Sequence, residues 1–443
     1  RRSMAHADLR TAVLAGVALR VVLYSQRTLQ RTLSTRPELV TPMTSLHRVR
    51  ESAYLFEHLG SPYAGDVFHQ PPLVFAAFYP LMLLPEPLQY IACCALFIAV
   101  DVAIACGMAR LCRSCHANEE GDVPRVNADE IWLHRIPVSP LFAPDRLPTV
   151  AALIYLFNPY SLASTMAMST ASLTHVAVLY SLVFAAEGRA FSSAMFIALG
   201  TYLSVYPFFF AVPVALMLKR PCSPSDAAAF PFAKLFSVVS FSLHIFIMLL
   251  MMSSELSGGW GFIQKTYLWV ASYSDLTPNV GIFWYFFMEV FDRFIPYFLL
   301  LLHVHPLIYI VPIYLRLPHR PQAFACALVG ILTLFQAYPS FGDFGFFLTM
   351  MSLHPKTVMT MENRYVYALG LAVATFLLPV MWFLWLFPAS GNANFFYNQT
   401  LVYQIFNSQV ITAFVGATMK RDKDIETFKQ RARSTAGSEK KTQ

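Results

Sequence analysis

"YIACCALFIAVDVAIACGM", residues Tyr90 to Met108, is apolar from end to end apart from one charge, Asp101. A helix needs about 20 such residues to cross the hydrocarbon of a bilayer, so this run reads as a membrane span. Leu9 to Leu23, Phe236 to Met252, Tyr297 to Leu315 and Tyr367 to Phe387 have the same character. Only helices suit them: an open sheet edge in lipid leaves backbone groups unpaired, and a barrel would show short alternating segments. A carboxylate at the depth of Asp101 is costly, and the expectation is a hydrogen bond to a neighbouring helix.

The rest of the chain agrees. Of 443 residues, 56% are hydrophobic and 13% charged, and the mean hydropathy of +0.51 argues against a water-soluble core. The fold class is all-α and polytopic, with about twelve crossings by length, several of them short or broken by proline. Arg1, Arg2 and Arg10 precede the first span, and Lys420, Arg421, Lys423, Lys429, Arg431 and Arg433 follow the last. Both ends therefore read as cytoplasmic, with Lys219, Arg220, Lys234, Arg316 and Arg320 marking further cytoplasmic loops. The net charge of +7 is thus a topology signal. Nucleic-acid binding is set aside because the basic residues are scattered.

The expected layout is a multi-span domain over 1–419, with loops on the opposite side at 24–70, 253–280 and 389–398. A cytoplasmic loop occupies 112–147, and a basic cytoplasmic tail at 420–443 should lose order after its first turns. In the first long loop, "ELVTPMTSLHRVRESAYLFEHLG" predicts a helix capped by Thr44 or Ser45 with Val49, Ala53 and Phe56 on one side. Pro71 to Leu84 is too short to span and reads as a re-entrant or interfacial helix. The first apolar stretch holds Arg20 and lacks a convincing cleavage site, so it should stay as an anchor.

The seven cysteines suggest no disulfide framework, none falling in a segment placed outside the cytoplasm. Cys112, Cys115 and His116 spell C-x-x-C-H, formally a haem attachment pattern, but one on the flank of a span. Zinc would need further ligands, and only His134 is near. No cofactor or metal is expected.

"LGSPYAGDVFHQPPLVF", Leu59 to Phe75, returns the chain to the membrane, with Tyr63, Phe68 and His69 expected at headgroup level. A Ser-Pro-Tyr turn followed by an aromatic-x-Pro entry resembles the first luminal loop of GT-C-type mannosyltransferases that use dolichol-linked sugars. The resemblance implies a GT-C-like core and acidic residues earlier in that loop. Here the loop reads "RPELVTPMTS", with Glu38 alone, so a base with a defined partner is missing.

"SDLTPNVGIFWYFFMEVFDRF", Ser274 to Phe294, places Asp275 or Thr277 as a helix cap, with aromatics following at interface depth. Glu289 and Arg293, spaced i,i+4, could pair. Near the end of the chain, "FPASGNANFFYNQT" gathers Asn392 and Asn394 with Phe395, Phe396 and Tyr397. On the residues alone, this is an asparagine-rich turn capping the last helix. Asparagine also offers donors and an acceptor without charge, and the rings offer flat faces to a sugar or an acyl chain.

Together with "NPYSLASTMAMSTAS" (from Asn158) and "AYPSFGD" (from Ala337), these motifs closely resemble, in order along nearly the whole chain, the PIG-U family of glycosylphosphatidylinositol (GPI) transamidase subunits. The resemblance implies a non-catalytic subunit of the endoplasmic reticulum membrane. Its partners would be other transamidase subunits, the GPI glycolipid and membrane lipids, with the glycolipid held at the Asn392, Asn394, Phe395 and Tyr397 loop. Asp275, Asn279, Trp284 and Glu289 are the further residues expected to contribute. The alternative is an active dolichol-phosphate-mannose-dependent mannosyltransferase of the same pathway. A transporter would show intramembrane ionisable clusters and paired repeats.

Overall fold

A computed structural model describes residues 2–119, 139–219 and 230–439. Among these residues every regular element is helical, and the only extended pairing is an isolated bridge between Ser45 and Ser169. Four helical stretches are long and apolar enough to cross a membrane: Glu86–Ser114, Phe232–Ser257, Asp292–Arg316 and Arg364–Leu386. Seven shorter apolar helices of 10–17 residues accompany them. Four long and seven short apolar helices fit the expected polytopic chain, in which several crossings are short or broken by proline. Proline is the physical reason for many of the breaks, because it lacks an N–H and forces the preceding residue out of helical geometry. Leu147–Phe157 and Pro159–Met166 are split at the Asn158–Pro159 step, where Asn158 Oδ1 caps the second helix by accepting from Tyr160 N–H at 3.0 Å.

Lipid-facing and protein-facing helices separate by pattern. Pro321–Phe335 is apolar on all sides, and its residues from Ala323 to Thr333 are all buried, as a helix enclosed by others must be. Phe232–Ser257 and Arg364–Leu386 bury few residues and leave Phe236, Met248, Leu369 and Phe376 exposed along their length. The terminal helix, Ala393–Glu439, does the reverse: it buries Thr400, Gln404, Asn407 and Thr418 against its neighbours. It lies close against Arg364–Leu386 at Gly370, where a Cβ would stand 2.1 Å from the Phe406 ring. Small residues at such crossings let backbones approach, which is how helices gain packing in lipid. This helix also continues through the basic tail to Glu439, where composition alone predicts loss of order.

Asp101 finds its partners on neighbouring helices, as expected, and the chief one is Arg20 of the first helix, at 2.5 Å. The predicted helix in the first long loop is present as Leu46–Leu59, with Val49 and Ala53 buried and Phe56 edge-on to Phe75 and Tyr79. Ser45 occupies its N-cap position without a side-chain cap bond. Pro71 to Leu84 forms the helix Pro72–Met82. Phe68 and His69 are buried among protein side chains rather than placed at a headgroup surface, His69 stacked on Trp269 at 3.5 Å. The side chains of Cys115, His116 and His134, and Arg220 and Cys222, lie outside the described residues.

Polar contacts tie the connecting segments together in two groups. Arg48 of the first long loop meets Asp275 of the 253–280 loop at 2.8 Å, and Phe341 N–H donates to Glu38 carbonyl at 2.8 Å. At the other end, Arg320 meets Asp422 at 2.9 Å and Lys420 meets Glu362 at 2.9 Å.

Candidate functional site

The turn between the last two helices is built from its own backbone. Ser390 and Gly391 donate N–H groups to the Leu384 carbonyl, each at 3.1 Å, and Ala389 takes a positive φ of 51°. Asn392 then starts the terminal helix by accepting from Phe395 N–H through both its side-chain Oδ1, at 3.1 Å, and its carbonyl, at 3.2 Å. Asn394 is exposed and makes no side-chain hydrogen bond within the described residues. Phe395 is exposed beside it, while Phe396 is fully buried.

Beneath this turn lies a bed of rings. Trp284 is fully buried and approaches Tyr397 at 5.6 Å, Phe396 at 6.0 Å and Trp385 at 6.5 Å. Tyr285 stacks on Tyr397 at 4.7 Å, and the Tyr397 hydroxyl donates to the Ile282 carbonyl at 3.1 Å. Trp382 packs on Phe396 at 5.3 Å. Trp284 and Tyr397, separated by more than a hundred residues of sequence, thus belong to one cluster, and the amides of Asn392 and Asn394 stand at its exposed rim. Trp382 and Trp385 fall within the Tyr367 to Phe387 span and join the same cluster. Their i,i+3 spacing in "MWFLWLF" puts both rings on one helix face, a signal that was available.

The remaining predicted residues serve their own segments. No helix starts at Asp275 or Thr277; the aromatic helix begins at Phe283, after Ile282. Asp275 instead accepts from Thr277 N–H at 2.8 Å and from Arg48 at 2.8 Å, and its carbonyl accepts from the Tyr338 hydroxyl at 3.0 Å. Burial pushes its pKa up, but the Thr277 hydroxyl and the Arg48 guanidinium outweigh it and hold the carboxyl below its ordinary value. Asn279 is fully buried, donating to Tyr273 Oη at 3.0 Å and accepting from Gly281 N–H at 2.8 Å. Its amide is committed to shaping the approach to the ring helix. Glu289 is exposed at the end of that helix and stands beside Tyr285. No ion pair joins it to Arg293, because the helix ends at Val290 in extended geometry and the i,i+4 face is lost. Arg293 lies over the Phe294 ring instead.

Next to the ring cluster is an apolar groove of about 830 Å³. Its walls include Tyr160, Phe341, Leu371 and Phe376, and it runs along one helix from Arg364 to Pro379, roughly 22 Å at 1.5 Å per residue. Arg36 and Glu38 line it too, joined by Nε to Oε2 at 3.1 Å and Nη2 to Oε1 at 2.7 Å. Glu38, the one acidic residue of the "RPELVTPMTS" stretch, is therefore held in a bidentate ion pair. The Arg36 guanidinium also lies 5.9 Å from the Trp382 ring, which connects the groove to the ring cluster.

The sequence model of the family described as GPI transamidase subunit PIG-U matches residues 14–403. The human protein named GPI-anchor transamidase component PIGU is 30% identical over 422 residues, covering 94% of each chain. The Saccharomyces cerevisiae protein named GPI transamidase component GAB1 is 27% identical over 421 residues, covering 94% of this chain and 96% of its own. Its Schizosaccharomyces pombe homolog is 27% identical over 394 residues, 88% of each chain.

Proposed function

Since the chain belongs to the PIG-U family of GPI transamidase subunits, we propose that it holds the GPI glycolipid for transfer and does not itself carry out the chemistry. The observation that carries this reading is the continuity of exposed amides, ring cluster and apolar groove. A glycolipid joins a hydroxyl- and phosphate-rich headgroup to acyl chains. The groove offers an apolar channel of acyl-chain dimensions, and the Asn392 and Asn394 rim offers uncharged donors and acceptors beside flat ring faces. Arg36 and Trp382 stand between them, where the apolar and polar parts of such a lipid meet.

The bidentate Arg36 clamp on Glu38 supports the non-catalytic reading, because a carboxylate so engaged is a poor proton acceptor. The bond exchange then belongs to another subunit, and this chain works in the endoplasmic reticulum membrane with that subunit as partner. The relatives carry the names of transamidase components, which favours this role over mannose transfer.

Complementation tests it. In cells lacking their own PIG-U subunit, this chain is expected to restore GPI-anchored proteins to the surface and to co-purify with the other subunits. Failure of both in a chain that reaches the membrane, or mannose transfer from dolichol-phosphate-mannose by the isolated chain and its loss in Glu38→Gln, overturns the reading.

A further inference from the structure

A second cavity, of about 290 Å³, shares no lining residue with the apolar groove. It lies where the end of the first long loop meets the 253–280 loop and the junctions around Thr170, Tyr206 and Tyr338. It is far larger than the roughly 10–15 Å³ that one water requires. Its wall contains polar atoms that the protein leaves unsatisfied: His69 Nε2, Gln70 Nε2 and His303 Nε2. His69 and Gln70 are almost completely buried, so bulk water does not serve them, and buried polar groups without partners are rare.

The partners these residues do have define what is missing. His69 Nδ1 pairs with the Lys265 carbonyl at 2.9 Å, which places the ring proton on Nδ1. Burial lowers the His69 pKa, so the ring stays neutral and Nε2 presents a lone pair. The Asp66 carboxylate, 4.0 Å away, is an acceptor and cannot fill that need. Gln70 Oε1 accepts from the Thr170 hydroxyl at 3.3 Å, leaving the amide N–H₂ as an unused donor. One wall thus presents a bare acceptor next to a bare donor.

A hydroxyl answers both, donating to His69 and accepting from Gln70. A phosphate diester has no proton to donate to His69 Nε2, and the lining holds Asp343 but no Lys or Arg to balance its charge. An ammonium group cannot accept from the amide. Tyr206 and Tyr267 add aromatic surface to the wall, where a hydroxylated ring packs well, while Tyr338 is itself stacked on Trp269 and Tyr273. We propose that this cavity is a binding site for a neutral cyclic polyol, a hexose or inositol ring, separate from the groove and the Asn392 rim.

The test uses the chain purified with its co-assembling subunits and a cysteine introduced by Thr174→Cys in the cavity wall. The rate of its labelling by N-ethylmaleimide, taken as the difference from the parent chain, is measured with octyl mannoside, methyl mannoside, myo-inositol or n-octanol present. The polyol probes are expected to slow labelling, and n-octanol is not. Protection by octyl mannoside alone identifies a lipid-borne ring, whereas protection by the free polyols identifies a soluble one. Gln70→Leu should weaken the protecting probe roughly tenfold, the equivalent of one buried hydrogen bond. Labelling indifferent to every polyol leaves a water-filled cavity and overturns the proposal, as does equal protection by n-octanol or unchanged protection in Gln70→Leu. If that variant fails to assemble, the comparison of polyols with n-octanol decides alone.

Discussion

Arg20 and Asp101, 81 residues apart in sequence, meet at 2.5 Å with both side chains about 1% exposed. The pair joins the first helix to the Glu86–Glu119 helix, and Asp101 also accepts from the Tyr155 hydroxyl at 2.8 Å and the Thr165 hydroxyl at 2.6 Å. Arg20 donates in turn to the Leu156 carbonyl at 2.9 Å. Four segments are therefore tied at one buried point. Removing one charge strands the other, at a cost of about 3–5 kcal/mol, whereas replacing both with apolar residues is close to neutral. Thermal unfolding of the purified assembly should show Arg20→Met and Asp101→Leu each strongly destabilised and the double variant largely restored. Additive losses in the double variant would remove the pair as a unit.

Acid should loosen the tie between the first long loop and the 253–280 loop. Asp275 is held below its ordinary carboxyl pKa when folded, so its contribution is complete above the unfolded value of about 3.9 and is lost as pH falls through the lower, folded one. The pair with Arg48 is partly exposed, and screening limits it to about 1 kcal/mol or less. Asp275→Asn is expected to be slightly less stable than the parent at neutral pH, with the gap closing below about pH 4. A gap that widens toward acid reverses the assigned sign.

Hydropathy made the helical membrane class legible, because runs such as Tyr90 to Met108 have no soluble reading. That prolines break several crossings was legible too, but the geometry of a break such as Asn158–Pro159 was not, since it shows only when Asn158 is seen capping the second helix. Polar Gln404 and Asn407 likewise gave no hint that they face inward, Gln404 lining up with the Val280 carbonyl from the far end of the chain. In the candidate site, the ring content of both segments was visible, and their meeting at Trp284 and Tyr397 was not. Asn279 misled because an amide looks the same whether it faces a ligand or, as here, the Tyr273 hydroxyl and Gly281 N–H.

Sidedness has its own test. Cysteines introduced at Ser45, Ser274 and Ser390 should be shielded from a membrane-impermeant reagent applied to the cytoplasmic face of sealed vesicles, and one at Ser438 should be labelled. The Arg48–Asp275 pair, which joins the two loops that carry them, requires Ser45 and Ser274 to behave alike. Cytoplasmic labelling at Ser390 would invert the assignment of the terminal turn.

The cap bond of Asn392 separates two roles that the sequence left joined. If the amide matters only because Oδ1 accepts from Phe395 N–H, then Asn392→Ser, which keeps a capping oxygen, should behave like the parent. Asn394→Ala should also be silent, because that side chain is exposed and supports nothing within the described chain. A headgroup site predicts otherwise. Each variant removes amide hydrogen bonds worth about 0.5–1.5 kcal/mol, which weakens lipid retention roughly two- to tenfold per site. Asn392→Ala adds the loss of the cap, about 1 kcal/mol of helix stability. The expected result is reduced GPI attachment with unchanged subunit assembly for Asn392→Ser and Asn394→Ala, and an added loss of stability only for Asn392→Ala. Normal attachment in Asn392→Ser and Asn394→Ala at normal protein level would return Asn392 to a purely structural role and remove the lipid from this turn.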